Sequence, residues 1–381
     1  MRILHLSDDG LPDWRVEKSA LTAIKAGHQV FFAGRLTTIA TSSTIFSEVH
    51  RITWTAGAMV GIPYYYHRVK KQIEKLVKQI RPDIVHSHNI GSAKIAIDLG
   101  LPTVFDDHEY FAMLSRVNAE NLKIQHSLGT QFGLVKFKQK TKMSFISRQS
   151  ISNWTKWEEE LVLSVPTITV SDQIALELQK LGNEKTKKII VVPNFPLQEE
   201  LAAFTKPEKH GHLSSVYAGG DSKHKKVTNR DISGLTNLFM ENDIGNLTII
   251  GWEAPESAEK YKATGFLPRD KMFSEMIQHS IGLVPWKKHW SHPFLNPNKA
   301  YEYAHAGLFV MLTSDMKSII TTMGDNCLPF DNYDDLASKL EYFKTNIDEL
   351  YEKRLKAFNF ARTNLIWEKH EKKILDAYKL I

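Results

Sequence analysis

Short apolar runs that end in glycine, proline or polar residues recur along this chain, each followed by a stretch with helical spacing. The series is interrupted once and then starts again. Arg2 to Leu6 is such a run, followed by a polar loop from Ser7 to Asp13 and by a helical pattern through Ala20, Leu21 and Ile24 that stops at Gly27. Val30 to Ala33, Asp83 to Ser87, Thr103 to Asp106, Val165 to Val170 and Lys188 to Val192 continue the set. Residues 197 to 212 are polar, with Pro207 and Gly211, and read as a linker. Beyond them Ser214 to Ala218, Leu247 to Ile250, Tyr261 to Thr264, Ile281 to Val284 and Phe309 to Thr313 repeat the alternation. Strands alternating with helical patterns specify open, mostly parallel α/β sheets. At 381 residues the chain exceeds one ordinary core, so two doubly wound, Rossmann-like domains are expected.

Composition narrows the partners. A hydrophobic fraction of 42% and a charged fraction of 24% are those of a globular protein. A net charge of +6 favours anionic partners such as nucleotides, sugar phosphates or acidic lipid headgroups. No zinc-finger spacing, basic-region heptad or RNA-binding signature is present, so nucleic acid is not expected. The single cysteine, Cys327, suits a reducing cytoplasm, and the apolar start is too short for a secretory signal. The three-glycine dinucleotide fingerprint is missing, which argues against NAD or FAD, and no cofactor or metal is expected. A helix from Tyr64 to Arg81 carries Val69, Ile73, Leu76, Val77 and Ile80 on one face and Arg68, Lys70, Lys71, Lys75 and Lys78 mostly on the other. It reads either as a solvated surface helix or as one lying on an anionic membrane.

Ligands of such sheets sit beyond the carboxyl ends of the strands. Gly10 follows the first strand, Gly219 and Gly220 open a basic loop with Lys223, Lys225, Lys226 and Arg230, and Gly251 follows the run 247 to 250. His86 and His88 are read as pointing to opposite faces of their strand and so not as a metal pair, with His88, at the loop, turned toward a ligand. His108, with acidic Asp107 and Glu109 beside it at a strand end, is a candidate acid–base or substrate-binding group, or a charged loop capping a helix. In FLNPNKAYEYAHAG, residues 294 to 307, Asn296 is expected to cap a helix with Pro297 in its first position, and Gly307 ends it. Ala300, Tyr303 and Ala304 would face a sheet. Asn298, Lys299 and Glu302 lie within one turn on another side. Helix amides and Lys299 suit a diphosphate, and Glu302 suits two ribose hydroxyls.

Taken in order, AGHQV at 26 to 30, RPDIVHSHN at 81 to 89, FDDHEYF at 105 to 111, TITVSD at 167 to 172, VVPNFP at 191 to 196, TIIGW at 248 to 252, TGFLPRDKM at 264 to 272 and PNKAYEYAHAGLFV at 297 to 310 resemble the GT-B glycosyltransferases, specifically the retaining enzymes of family four. The resemblance covers nearly the whole chain. It implies two Rossmann-like domains facing a cleft, residues 1 to 196 for the acceptor and 197 to 361 for the nucleotide sugar, with a last helix at about 362 to 381 crossing back. It implies that Glu302 binds the donor ribose beside Lys299, that Arg230 with Lys226 or a neighbouring lysine faces the diphosphate, and that the backbone at Phe266 and Leu267 reads the base. His108 falls near the transferred sugar and Gly10 near donor and acceptor, while His88, Asn89 and Glu109 are placed on the acceptor side. Phe294 stands eight positions before Glu302, where the family usually has its first glutamate.

The reaction so implied is retaining transfer of a hexose from a nucleotide diphosphate sugar to an acceptor hydroxyl, on a glycan or lipid-linked sugar, with no metal, in the cytoplasm or at the inner face of the membrane. A nucleotide-sugar epimerase, a non-catalytic nucleotide-sugar-binding protein and a membrane-surface interaction protein are the rival readings.

Overall fold

The computed structural model describes residues 1–35, 44–127, 134–201, 204–219, 228–252 and 255–381. The chain forms two compact units, Met1–Asn194 with Lys369–Ile381, and Phe195–Glu368.

The first unit holds β1 (Arg2–Ser7), β2 (Gln29–Gly34), β3 (Glu48–Arg51), β4 (Ile84–His88), β5 (Thr103–Asp107), β6 (Thr167–Thr169) and β7 (Ile189–Val191) in the order β3-β2-β1-β4-β5-β6-β7. All neighbours are parallel. β1, β4 and β5 are buried along almost their whole length, as strands covered on both faces must be. The helix Trp14–Lys25 starts where Asp13 accepts the amides of Arg15 and Val16. The helix Pro63–Ile80 buries Val69, Ile73, Leu76 and Ile80, three or four apart. It stops at Arg81, which takes a left-handed conformation, and the following Pro82 disfavours any continuation of the helix. The C-terminal helix Glu371–Tyr378 packs into this unit, and the Tyr378 hydroxyl lies 2.8 Å from His86 Nδ1.

The second unit contains β8 (Ser214–Ala218), β9 (Asn246–Ile250), β10 (Glu256–Ser257), β11 (Tyr261–Ala263), β12 (Ile281–Val284), β13 (Phe309–Thr313) and β14 (Cys327–Phe330), ordered β10-β11-β9-β8-β12-β13-β14. Among the described residues of this sheet, only the two-residue edge strand β10 runs antiparallel. β3, β10 and β14 were not expected from the sequence, since all three are short and at the sheet edges, where burial does not impose an apolar run. The helix expected from about Asp231 begins at Leu235, after a single 3-10 turn at Thr228–Arg230.

Candidate functional site

In the second unit β8, β9, β11, β12 and β13 are parallel, so their carboxyl ends open on one side. Gly219 follows β8, Gly251 follows β9, Phe266 and Leu267 follow β11, and Trp286 follows β12. The helix Lys299–His305 is drawn close to this edge. Gly282 in β12 is what permits it, since a Cβ there would sit 2.3 Å from the Tyr303 ring. Tyr303 then reaches across the sheet, its hydroxyl accepting the amide of Ala218 at 2.7 Å.

That contact brings the amino end of the helix to the end of β8. The Lys299 ammonium lies 4.3 Å from the centroid of the Tyr217 ring and 4.9 Å from that of Trp286. Trp286 Nε1 donates to the Tyr217 hydroxyl at 3.0 Å, locking the two rings together. Arg230 approaches the same indole, with its guanidinium carbon 5.5 Å from the ring centroid. The turn that carries Arg230 is held by His292, whose Nε2 donates to the Asn229 carbonyl at 2.9 Å. At Gly219 a side chain would meet the Lys299 ammonium at 2.9 Å, so the backbone there comes right up to the cation. Two cations on one aromatic floor, with a glycine backbone alongside, form a receptor for an anion.

Glu302, one turn along, is not an isolated carboxylate. Its Oε1 accepts from Arg269 NH1 at 2.9 Å, while NH2 of the same guanidinium donates to Glu200 Oε1 at 3.0 Å. Glu200 Oε2 in turn accepts the Leu197 amide at 2.8 Å. Both carboxylates are largely buried, at 13% side-chain exposure. Sequence reasoning missed Arg269 and Glu200. Arg269 lies in the TGFLPRDKM motif, but nothing in its spacing points to a partner 33 residues later. Phe266 is 83% exposed and Leu267 is half-buried.

The start of this helix differs from expectation. Asn296 is not its cap and Pro297 is not its first residue: the helix begins at Lys299, and Asn298 makes no side-chain cap. The competing partner is Tyr301, fully buried, whose hydroxyl donates to Asn296 Oδ1. Asn298 contributes its carbonyl, which accepts the amides of Tyr301 and Glu302. Gly220, Lys223, Lys225 and Lys226 lie outside the described residues.

In the first unit the loop after β1 passes close beneath Arg35: a Cβ on Gly10 would lie 2.0 Å from that carbonyl oxygen. Asp8, wholly buried, accepts the Gly91 amide at 3.1 Å, and burial pushes its carboxyl up to about 7, although the nearby Asn89 side chain acts to lower it. Asn89, at φ 71°, also presents Oδ1 to His108 Nε2 at 2.7 Å. Asn89 and His108 are thus joined, with His108 half-buried and Glu109 exposed beyond it. Behind them Glu158 accepts the amides of Phe111 and Ala112, and the buried Asp107 beside it has neither oxygen hydrogen-bonded among the described residues. Burial pushes Glu158 up to about 8, and burial with the Glu158 charge raises Asp107 as well.

His88 requires a correction. Residues two apart on a strand share a face, and the rings of His86 and His88 stack with centroids 4.4 Å apart. Both are fully buried, so His88 does not face a ligand. His5 on the adjacent strand joins them, with Nδ1 3.0 Å from His88 Nε2. Asp106 lies 3.3 Å from His88 Nδ1 and is held by Arg15 at 2.7 Å. Although burial alone would raise Asp106, Arg15 and the two imidazoles hold it well below the usual carboxylate range. Burial and the neighbouring His86 push His88 down to about 4. Nitrogens of His5, His86 and His88 lie within 4.8 Å of one another, a grouping the sequence reading did not make because His5 is on another strand. The ring planes of the three pairs lie 16°, 23° and 38° apart.

Residues 19–195 match the model of Glycosyltransferase Family 4. No curated protein matches the sequence. Among solved structures, sucrose-phosphate synthase from Thermosynechococcus elongatus superimposes with a TM-score of 0.74 at 11% identity, covering 100% of this chain and 99% of that one. A glycosyltransferase from Rickettsia africae gives 0.65 at 13% identity, with 100% and 98% covered. HepE from Anabaena, solved with UDP-glucose, gives 0.68 at 10% identity, with both chains fully covered. The fold is the two-domain GT-B fold of these structures, and the family-four resemblance read from the sequence is matched over residues 19–195.

Proposed function

We propose that this chain, a GT-B glycosyltransferase of the family-four type, transfers a hexose from a nucleotide diphosphate sugar to an acceptor hydroxyl with retention of configuration. The observation that carries the reading is the convergence of Lys299, Arg230 and the Gly219 backbone on the Tyr217–Trp286 floor, with Glu302 one turn further along the same helix. The spacing suits a pyrophosphate and the ribose attached to it. Charge on the departing diphosphate grows as the glycosidic bond breaks, and preorganised cations stabilise it most at that stage. With side chains in that role the reaction needs neither metal nor cofactor. His108, oriented through Asn89, is the group proposed to serve the transferred sugar, with Glu109 and Asn89 on the acceptor side.

The acceptor is proposed to be a glycan or lipid-linked sugar, reached at the inner face of a membrane through the helix Pro63–Ile80. Its solvent face shows Tyr64, Tyr65, Arg68, Lys71 and Lys75. No helix among the described residues is long and apolar enough to cross a membrane.

The test is turnover with UDP-, GDP- and ADP-hexoses and a panel of acceptors, following release of the nucleoside diphosphate and the anomeric configuration of the product. Arg230→Ala should lower turnover by about 10²-fold with a smaller effect on donor affinity. An altered sugar nucleotide formed without acceptor would instead identify an epimerase, and donor binding without any turnover a binding protein.

A further inference from the structure

We propose that Arg269 is a positioning residue that sets Glu302 to read the ribose of a ribonucleoside diphosphate, and that Glu200 is its anchor. The inference rests on the nucleotide reading above and adds the device that makes Glu302 selective. Arg269 opens the helix Arg269–Met276, on the loop that follows β11, and its side chain lies over the Phe273 ring at 4.6 Å. From there the guanidinium divides its fork, one nitrogen to Glu302 Oε1 at 2.9 Å and the other to Glu200 Oε1 at 3.0 Å. Glu200 is itself fixed by the Leu197 amide on its second oxygen. Glu302 is therefore clamped through one oxygen, and Oε2 takes no partner among the described residues.

Three physical consequences follow. The planar fork fixes the plane of the carboxylate as well as its position, which an ammonium could not do. The single positive charge offsets one of the two carboxylate charges, which lowers the repulsion between Glu302 and a diphosphate. With one oxygen engaged, the orientation of the other is set before a ligand arrives, so hydroxyl recognition carries little ordering cost. A carboxylate placed in this way distinguishes a ribose from a 2′-deoxyribose, because loss of one hydroxyl leaves a desolvated acceptor unmatched.

The experiment measures affinities of the full chain for UDP, GDP and ADP by calorimetric titration, then for the 2′-deoxy form of whichever binds. The wild-type chain should prefer the ribonucleotide by about tenfold or more, the scale of one hydrogen bond to a charged group. In Arg269→Ala the preference should fall to within about threefold, and Arg269→Lys should be intermediate because charge is kept without the fork. Glu200→Gln keeps Arg269 and Glu302 unsubstituted but removes the charge that anchors the second arm of the guanidinium, so it should also narrow the preference, which guards against misfolding of the alanine variant. Thermal denaturation of each variant separates a general loss of structure from a change in ribose selectivity. A wild-type preference retained in both Arg269→Ala and Glu200→Gln would overturn the inference alone. A wild-type chain that binds none of the three diphosphates would overturn the nucleotide reading and this inference with it.

Discussion

Asp8 and Glu158 keep a proton at pH values where an unfolded chain has lost it, and this makes them measurable from outside. Burial pushes them up to about 7 and about 8, so the folded state binds more protons than the unfolded state and stability falls as pH rises. His88, pushed down to about 4, acts in the opposite sense, but only below the ordinary imidazole value of roughly 6.5. The interval from pH 6.5 to 8 therefore reports the carboxyls. Scanning calorimetry should find the melting temperature falling across it, and Glu158→Gln should flatten the fall by up to about 2 kcal/mol of stability. Equal slopes in the two proteins would remove the account of Glu158 as a buried carboxyl that keeps its proton. At this scale the sequence was only partly legible. Lys299, Glu302 and Arg230 announce themselves by charge beside glycine and proline, because they lie on the segments that end strands or begin helices. Arg269 and Glu200 do not, since each pairs with a residue that only the fold brings near. The stacked histidines were misjudged from a wrong count of strand faces, and His5 could not be joined to them without knowing that β1 and β4 are neighbours.

Among the elements, the helix Lys299–His305 was read nearly to its final residue but not at its start. Its buried face, with Ala300, Tyr303 and Ala304 all inaccessible, follows from periodicity alone. Its amino end depends on Tyr301 taking Asn296 away from the capping position, a tertiary contact that propensity cannot anticipate. Gly282 is legible only in retrospect, as the place where the strand must lack a side chain for Tyr303 to pass. The helix Pro63–Ile80 shows the converse: its buried face is evident from the sequence, while the role of its other face is decided by partners. Tyr64 is 67% exposed, and Arg68, Lys71 and Lys75 are exposed on the same element. Each such cation near an anionic surface contributes about 1 kcal/mol. Flotation on phosphatidylglycerol vesicles should therefore carry the protein, and the triple variant Arg68→Gln, Lys71→Gln, Lys75→Gln should weaken partitioning roughly a hundredfold. Equal flotation of the variant, or equal binding to neutral phosphatidylcholine vesicles, would dismiss the membrane face.

For the molecule as a whole, the repeated alternation of strands and helices announced two parallel sheets, and the second sheet's strands β8, β12 and β13 were located to the residue. The long central strands were visible because burial on both faces imposes apolar runs. The return of Lys369–Ile381 to the first unit depends on the Tyr378–His86 contact and on Ile374 and Ala377 becoming buried, and came to the sequence reading only through family resemblance. The central claim is narrower than the fold: a sugar nucleotide is held in the second unit, with Glu302 on its ribose. The most direct measurement is the dissociation constant of the nucleoside diphosphate for the wild-type chain and for Glu302→Ala. Loss of a hydrogen bond to a charged group should weaken binding about ten- to a hundredfold, whereas an unchanged constant would contradict the account.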